Sequence, residues 1–193
     1  MTDMSADPVE QKARLRERLR FRRRHFAEGL GDMARMVAFR ALPAPLLAIA
    51  SKHQIVGAYA AWGDEPDILP MLGGFDIALP YHAARVATMN FRRWDPAAPL
   101  TKGPWGTPQP ADDSAEVQPT LILCPLVGFD RTGGRLGQGG GHYDRFFASH
   151  PGALRIGIGW AVQEIDSVPV ESTDAPLDAV LTEQEFMRFG DRL

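Results

Sequence analysis

Cysteine occurs once, at Cys124, which excludes a disulfide framework within the chain and any cysteine-rich metal site. Five histidines are too scattered to suggest zinc. Long apolar runs are missing too. The longest, "LPAPLLAIA" (42–50), contains two prolines and is too short to span a bilayer. The opening "MTDMSADPVEQ" has neither a basic n-region nor an apolar h-region, so no signal peptide is expected. Repeats and low-complexity segments are also lacking. These absences point to a reducing, cytoplasmic setting and no membrane partner; a monomer is expected, though no feature of the sequence decides the oligomeric state.

What is present fits one domain. At 193 residues, with 45% hydrophobic and 23% charged residues, the chain can bury a real core. The expected division is a disordered tail over 1–11 and a single domain over 12–193. Net charge is only −3, but residues 12–24 hold eight cations and one Glu, whereas 161–193 hold eight acids and two arginines. Such asymmetry raises a nucleic-acid hypothesis. A helix that grips RNA interleaves aromatics with its cations, and this one offers only Phe21 and Phe26, so no nucleic-acid partner is expected.

The hydrophobic pattern predicts a helix over 12–30 with Leu15, Leu19, Phe26 and Leu30 on one stripe, and a second over 31–42 that Pro43 and Pro45 interrupt. Strands are predicted over 54–62, 76–82, 87–94, 120–130, 154–160 and 177–183. A short helix is expected near 66–73 and another over 143–150. Residues 95–119, rich in Pro and Gly, form the longest loop, a length that favours a functional role. Strands alternating with helices imply an α/β fold: a single three-layer domain with a mainly parallel central sheet flanked by helices.

One segment stands apart. "GGRLGQGGGHYDRFF" (133–147) places six glycines in its first nine positions, directly after the most apolar strand and before a helix. Strand, glycine loop and helix bind phosphate through converging backbone N–H groups and the helix dipole. The Walker spelling is excluded because no Lys-Ser or Lys-Thr follows the glycines, and the dinucleotide spelling fails at His142. Arg135, His142, Tyr143, Asp144 and Arg145 crowd around the loop, unlike a solvated linker.

"PLVGFDRTGGRLGQGGGHYDRF" closely resembles the signature of the 5-formyltetrahydrofolate cyclo-ligases. Three further blocks are similar in the same order: "KARLR", "WGDEPDILPML", and "IGIGWAVQEIDSVPVESTDAPLDAVLTE". The resemblance implies a layered architecture like that of phosphosugar isomerases and CoA transferases. It also implies ATP-driven closure of 5-formyltetrahydrofolate to 5,10-methenyltetrahydrofolate, releasing ADP and phosphate, through phosphorylation of the formyl oxygen. On this resemblance Lys12, Ala13, Arg14, Leu15 and Arg16, with Arg135, Leu136, Gly137, Gln138, Gly139, Gly140, Gly141, His142 and Tyr143, are expected to bind ATP. Arg16, Ala60, Glu65 and the stretch from Gln138 to His142 are expected to touch the folate, Glu65 through the paired N–H donors of the pterin. Asp144 and Asp178 are expected to hold Mg²⁺.

Helical geometry adds a separate expectation. At ~100° per residue, Lys12, Arg23 and Arg16 border the apolar stripe, while Arg14, Arg18 and Arg24 point away from it. Met89, Phe91 and Trp94 lie in a strand open to two readings, a wall for the pterin or p-aminobenzoyl groups and core. Core is the commoner and they are left out of the site, while Cys124 is read as an inert core thiol. Three departures from the family pattern stand out: His142 replaces an aromatic Tyr, Gln109 replaces a Glu, and "STD" (172–174) lacks a His. Two alternatives remain open: an ATP-independent sugar-phosphate or CoA-transfer enzyme of similar layering, and an RNA-binding module.

Overall fold

The computed structural model describes residues 8–85 and 88–193. Most of the expected tail, residues 1–7, and Ala87 of the expected third strand lie outside the described residues. Residues 8–11 are helical, so the first helix begins earlier than its apolar stripe.

Helix α1 spans Pro8–Gly29. Leu19 and Ala27 are fully buried along it, and Phe26 and Leu30 pack at its end. Helix α2 (Asp32–Ala38) stops short of the expected residue 42. Pro43 then caps α3 (Ala44–Ala50), with Pro45 in its first turn. The prolines therefore end one helix and start another, since a first-turn proline gives up no intrahelical hydrogen bond.

Eight strands form the central sheet: β1 (Ile55–Gly57), β2 (Asp76–Tyr81), β3 (Asn90–Trp94), β4 (Glu116–Val117), β5 (Leu121–Pro125), β6 (Leu154–Ile158), β7 (Ala179–Leu181) and β8 (Phe186–Arg188). Their spatial order is β8-β7-β6-β5-β1-β2-β3-β4. The five inner strands, from β7 to β2, run parallel; at one edge β8 pairs antiparallel with β7, and at the other β3 pairs antiparallel with β2 and β4 antiparallel with β3. β5 is buried on both faces, as a central parallel strand must be. Leu121 and Leu123 join the cluster of Phe39, Leu46 and Trp160, while Ile122 and Cys124 join that of Phe91, Phe146 and Phe147. Helix α4 (His142–Ser149) covers the second face, completing three layers.

Several strands are shorter than expected. The run 120–130 breaks after Pro125, and Gly128–Phe129 pairs instead with Arg135–Leu136 in a separate two-stranded hairpin. The helix expected near 66–73 is a single 3₁₀ turn, Leu69–Leu72. The long loop is not structureless: Thr101–Lys102 pairs with Pro108–Gln109, and β4 adds an edge to the sheet.

One topological fact positions the site. From β1 the chain moves to β2 on one side, whereas from β5 it moves to β6 on the other. In open α/β sheets such a reversal opens a crevice outside the carboxyl ends of the two strands, and ligands bind there. Here the segment after β1 carries Glu65, and the segment after β5 carries the glycine loop.

Candidate active site

The glycine loop is presented by a pinned turn. Asp130 is buried; its Oδ1 accepts the N–H groups of Thr132 and Gly134 at 2.8 and 2.9 Å, and its Oδ2 accepts that of Val168 at 2.8 Å. Burial disfavours this carboxylate, but the hydrogen bonds from Thr132, Val168 and Gly134 outweigh it and hold its pKa below the ordinary value. The hairpin then delivers Arg135 and Leu136, and residues 137–141 lead into α4. Gly139 and Gly141 adopt φ of 105° and 62°, a left-handed region that favours glycine. Gly141 caps α4 with no side-chain hydrogen bond to the first turn. The residues carrying those first-turn N–H groups line a cavity of about 1090 Å³, the arrangement that accepts an anion.

Helix α1 supplies the opposite wall. Lys12 is 3% exposed, and its ammonium meets Glu171 at 2.7 Å and Asp174 at 2.5 Å. Burial works against that charge, but the two carboxylates prevail and raise its pKa. Arg16 donates from Nε to the Gly137 carbonyl at 2.9 Å. Arg23 is buried, with Nη1 3.7 Å from Glu65 Oε1. The inward lean of Lys12, Arg16 and Arg23 is thus as expected, and Arg18 and Arg24 are exposed. Three residues of the expected ATP segment are not at the cavity. Ala13 is exposed, Arg14 pairs with Glu10 one turn away, and Leu15 packs with Leu19 and Leu136. A helix shows a cavity only one face, so a run of five consecutive residues cannot all reach it.

Ala60 and Glu65 both line the cavity. Glu65 Oε2 accepts the Trp62 N–H at 3.1 Å, and Oε1 accepts from Gln138 Nε2 at 3.5 Å. Burial raises its pKa, partly offset by Arg23. Next to it Tyr59 donates its hydroxyl to the Pro66 carbonyl at 2.8 Å. The Tyr143 hydroxyl and the Nε atoms of Arg135 and Arg155 are buried in the same wall and have no hydrogen-bond partner among the described residues. Buried polar atoms are nearly always paired, so these three groups are suited to a polar ligand.

Sequence reasoning missed an aromatic corner. His142 meets His82 edge-on at 4.5 Å between ring centroids and Trp105 at 5.5 Å. Arg145 lies 3.1 Å from His142 Nδ1. Because a guanidinium has no acceptor, Nδ1 must be the unprotonated nitrogen. Burial, then His82 and Arg145, lower the His142 pKa and favour the neutral ring. Gln109 exchanges two hydrogen bonds with the backbone of His82, at 3.2 and 3.3 Å. A carboxylate could accept the first but not donate the second. Met89, read as core, is buried but also lines the cavity, whereas Phe91 packs on Phe146. Cys124 is fully buried and its thiol is pushed up to about 11 by burial, an inert group as expected.

The two expected metal carboxylates are placed differently. Asp144 lines the cavity in the first turn of α4, and its Oδ1 is bound by the Arg135 guanidinium. Asp178 is not part of the cavity wall. Its Oδ2 accepts the Arg155 N–H at 2.8 Å, and both oxygens face Arg192 at 3.1 and 3.2 Å. Among the described residues no cluster of three or more acids, histidines or cysteines could hold a metal. Mg²⁺ commonly binds through one or two carboxylates plus substrate phosphates and water. Asp144, on the cavity wall, fits that pattern if it shares or releases Arg135; Asp178, off the cavity wall and held by Arg192 and the Arg155 N–H, does not fit it as placed. A smaller hollow of about 500 Å³ near Arg131 is lined by Glu164 and Glu185, both of which Arg131 already pairs.

A glycine loop leading into a helix N-terminus and a buried carboxylate share one cavity at the switch point of an α/β sheet, the place where such folds form a ligand cleft. Comparison with known proteins sharpens this. A family model described as the 5-formyltetrahydrofolate cyclo-ligase family matches residues 8–183. The chain belongs to that family, whose members are ligases. It is 29% identical over 163 residues to 5-formyltetrahydrofolate cyclo-ligase of Escherichia coli K12, covering 78% of this chain and 88% of that one. A probable 5-formyltetrahydrofolate cyclo-ligase of Caenorhabditis elegans is 40% identical over 75 residues, 36% of each chain. The solved 5,10-methenyltetrahydrofolate synthetase of Aquifex aeolicus superposes with a TM-score of 0.74 at 25% identity, covering 93% of both chains. The Mycoplasma pneumoniae synthetase shares the fold, at 18% identity and a TM-score of 0.65 over 89% of this chain and 98% of that one.

Proposed function

We propose that the protein closes 5-formyltetrahydrofolate to 5,10-methenyltetrahydrofolate with consumption of ATP. The observation that carries this reading is the meeting of the glycine loop and Glu65 in one cavity at the switch point. Residues 137–141, the α4 N-terminus, Lys12 and Arg16 suit a polyphosphate. Buried Glu65 suits the adjacent N–H donors of a reduced pterin, since one carboxylate accepts two of them. Asp144 is the residue that would hold Mg²⁺ accompanying the nucleotide, and the ion would supply charge neutralisation on phosphate oxygens.

In this reading the formyl oxygen takes the γ-phosphoryl group, and the bond from that phosphorus to the β-phosphate oxygen breaks to release ADP. N10 then attacks the formyl carbon and loses its proton, and phosphate departs with the former formyl oxygen. The protein's part is positioning and charge. Side chains are missing where two substrates must touch, and misplacement by about 1 Å can cost ~10²-fold. Arg135 and Lys12 arrive already paired with acids, which fixes their direction before substrate enters. The test is absorbance of methenyl product from the purified protein, with and without MgATP. Product should form only when MgATP is present. RNA binding with a steep salt dependence, or sugar-phosphate turnover without ATP, would support the alternatives instead.

A further inference from the structure

Helix α1 crosses the glycine loop with a ladder of cations. Arg16 holds the Gly137 carbonyl, and its guanidinium also packs 3.5 Å from where a Cβ would stand on Gly139. One turn later, Arg20 donates from Nε to Gln138 Oε1 and from Nη2 to the Gln138 carbonyl, both at 3.0 Å. Arg20 does not itself line the cavity, but Gln138 does. The second donor matters because it takes the side chain and the backbone of one residue in a single planar fork.

That fork has a consequence at Glu65. A guanidinium only donates, so Arg20 requires the oxygen of the Gln138 amide, and the amide nitrogen is left facing Glu65 Oε1. A flipped amide would set donor against donor at Arg20 and acceptor against acceptor at Glu65. The connection therefore runs from α1 through Gln138 to the carboxylate after β1, linking the two halves of the cavity.

We propose that Arg20 is a positioning residue that couples the two halves of the cavity, so that filling the phosphate half tightens binding in the half that Glu65 faces. The identity of the two ligands rests on the function proposed above; the coupling rests on the fork. A ligand that orders the loop leaves less ordering for the second ligand to supply, and such coupling is reciprocal.

The test uses the full chain as wild type, Arg20→Met and Arg20→Lys. Affinity for a non-hydrolysable ATP analogue with Mg²⁺ is measured with and without tetrahydrofolate, which lacks the formyl group and cannot react. Amide hydrogen exchange across 137–141 is measured without ligand, and melting checks the fold. Wild type should show coupling of about tenfold. Both variants should bring it near one and exchange faster across the loop, with melting within a few degrees, because lysine keeps the charge but cannot form the fork. Unchanged coupling and exchange in Arg20→Met would overturn the proposal, as would full coupling in Arg20→Lys. A wild type that binds the ATP analogue but not tetrahydrofolate would count against the proposed function alone. The exchange comparison would then decide Arg20's hold on the loop, faster exchange sustaining it and unchanged exchange refuting it.

Discussion

A β-carbon added at Gly140 would stand 2.6 Å from His142 Nε2, and Gly140 has no left-handed φ. Its substitution therefore meets a ring rather than backbone strain, unlike Gly139 and Gly141. We expect Gly140→Val to fold with a melting point close to wild type but to lose about 10²-fold or more in turnover. Gly141→Val, at φ of 62°, should also lose ~1–3 kcal/mol of stability. Paired melting and turnover measurements separate the two, and full turnover in Gly140→Val would show that the glycine serves only its own turn. Gln109 offers a second test. Gln109→Glu removes the donor to the His82 carbonyl and sets a carboxylate against it, at ~1–3 kcal/mol. Thermal melting should fall by about 5 °C, and an unchanged melt would mean that Gln109 is incidental. The residue types at 140 and 109 were legible in the sequence. The partner of Gln109 was not, because His82 lies 27 positions away and only folding brings them together.

Helix α1 separates geometry from charge. Arg16 and Arg18 carry the same charge two residues apart, but only Arg16 donates into the loop; Arg18 is exposed. Arg16→Ala should weaken ATP binding by about 10- to 100-fold, the worth of a charged hydrogen bond, while Arg18→Ala should stay within about twofold. Equal losses in a titration of both variants would show that the helix acts through diffuse charge. The facing of Lys12, Arg16 and Arg23 was readable because helical periodicity is strict. The same arithmetic sets Arg20 ~40° beyond Arg16, further from the apolar stripe than Arg18, so its reach to Gln138 was not legible and depends on where the folded loop lies against the helix. Short elements were less legible. β4 and β8 have two and three residues, too few to show alternation, and they exist because a neighbouring strand offers an edge.

At the scale of the whole molecule, alternating strands and helices announced the layers, and the family signature announced the glycine loop. The reversal of strand order between β1 and β5 was not legible, since order across a sheet follows from packing rather than from any local pattern. Nor was the pairing of Asp178 with Arg192. The fold should also carry an acid signature from Asp130. Its folded pKa lies below the ordinary aspartate value of ~3.9, so its stabilisation is complete above that value and is lost as pH falls towards the folded pKa. Urea midpoints of wild type should therefore drop more steeply below about pH 4 than those of Asp130→Asn, which starts less stable at neutral pH; parallel curves would contradict this role for Asp130. The central claim, that one cavity joins nucleotide and folate in one reaction, is tested most directly by stoichiometry. ADP and methenyl product are measured together after mixing the protein with MgATP and 5-formyltetrahydrofolate. The account predicts one ADP per methenyl group formed and neither product when either substrate is withheld. Ring closure without ATP, or steady ADP release without the folate, would contradict it.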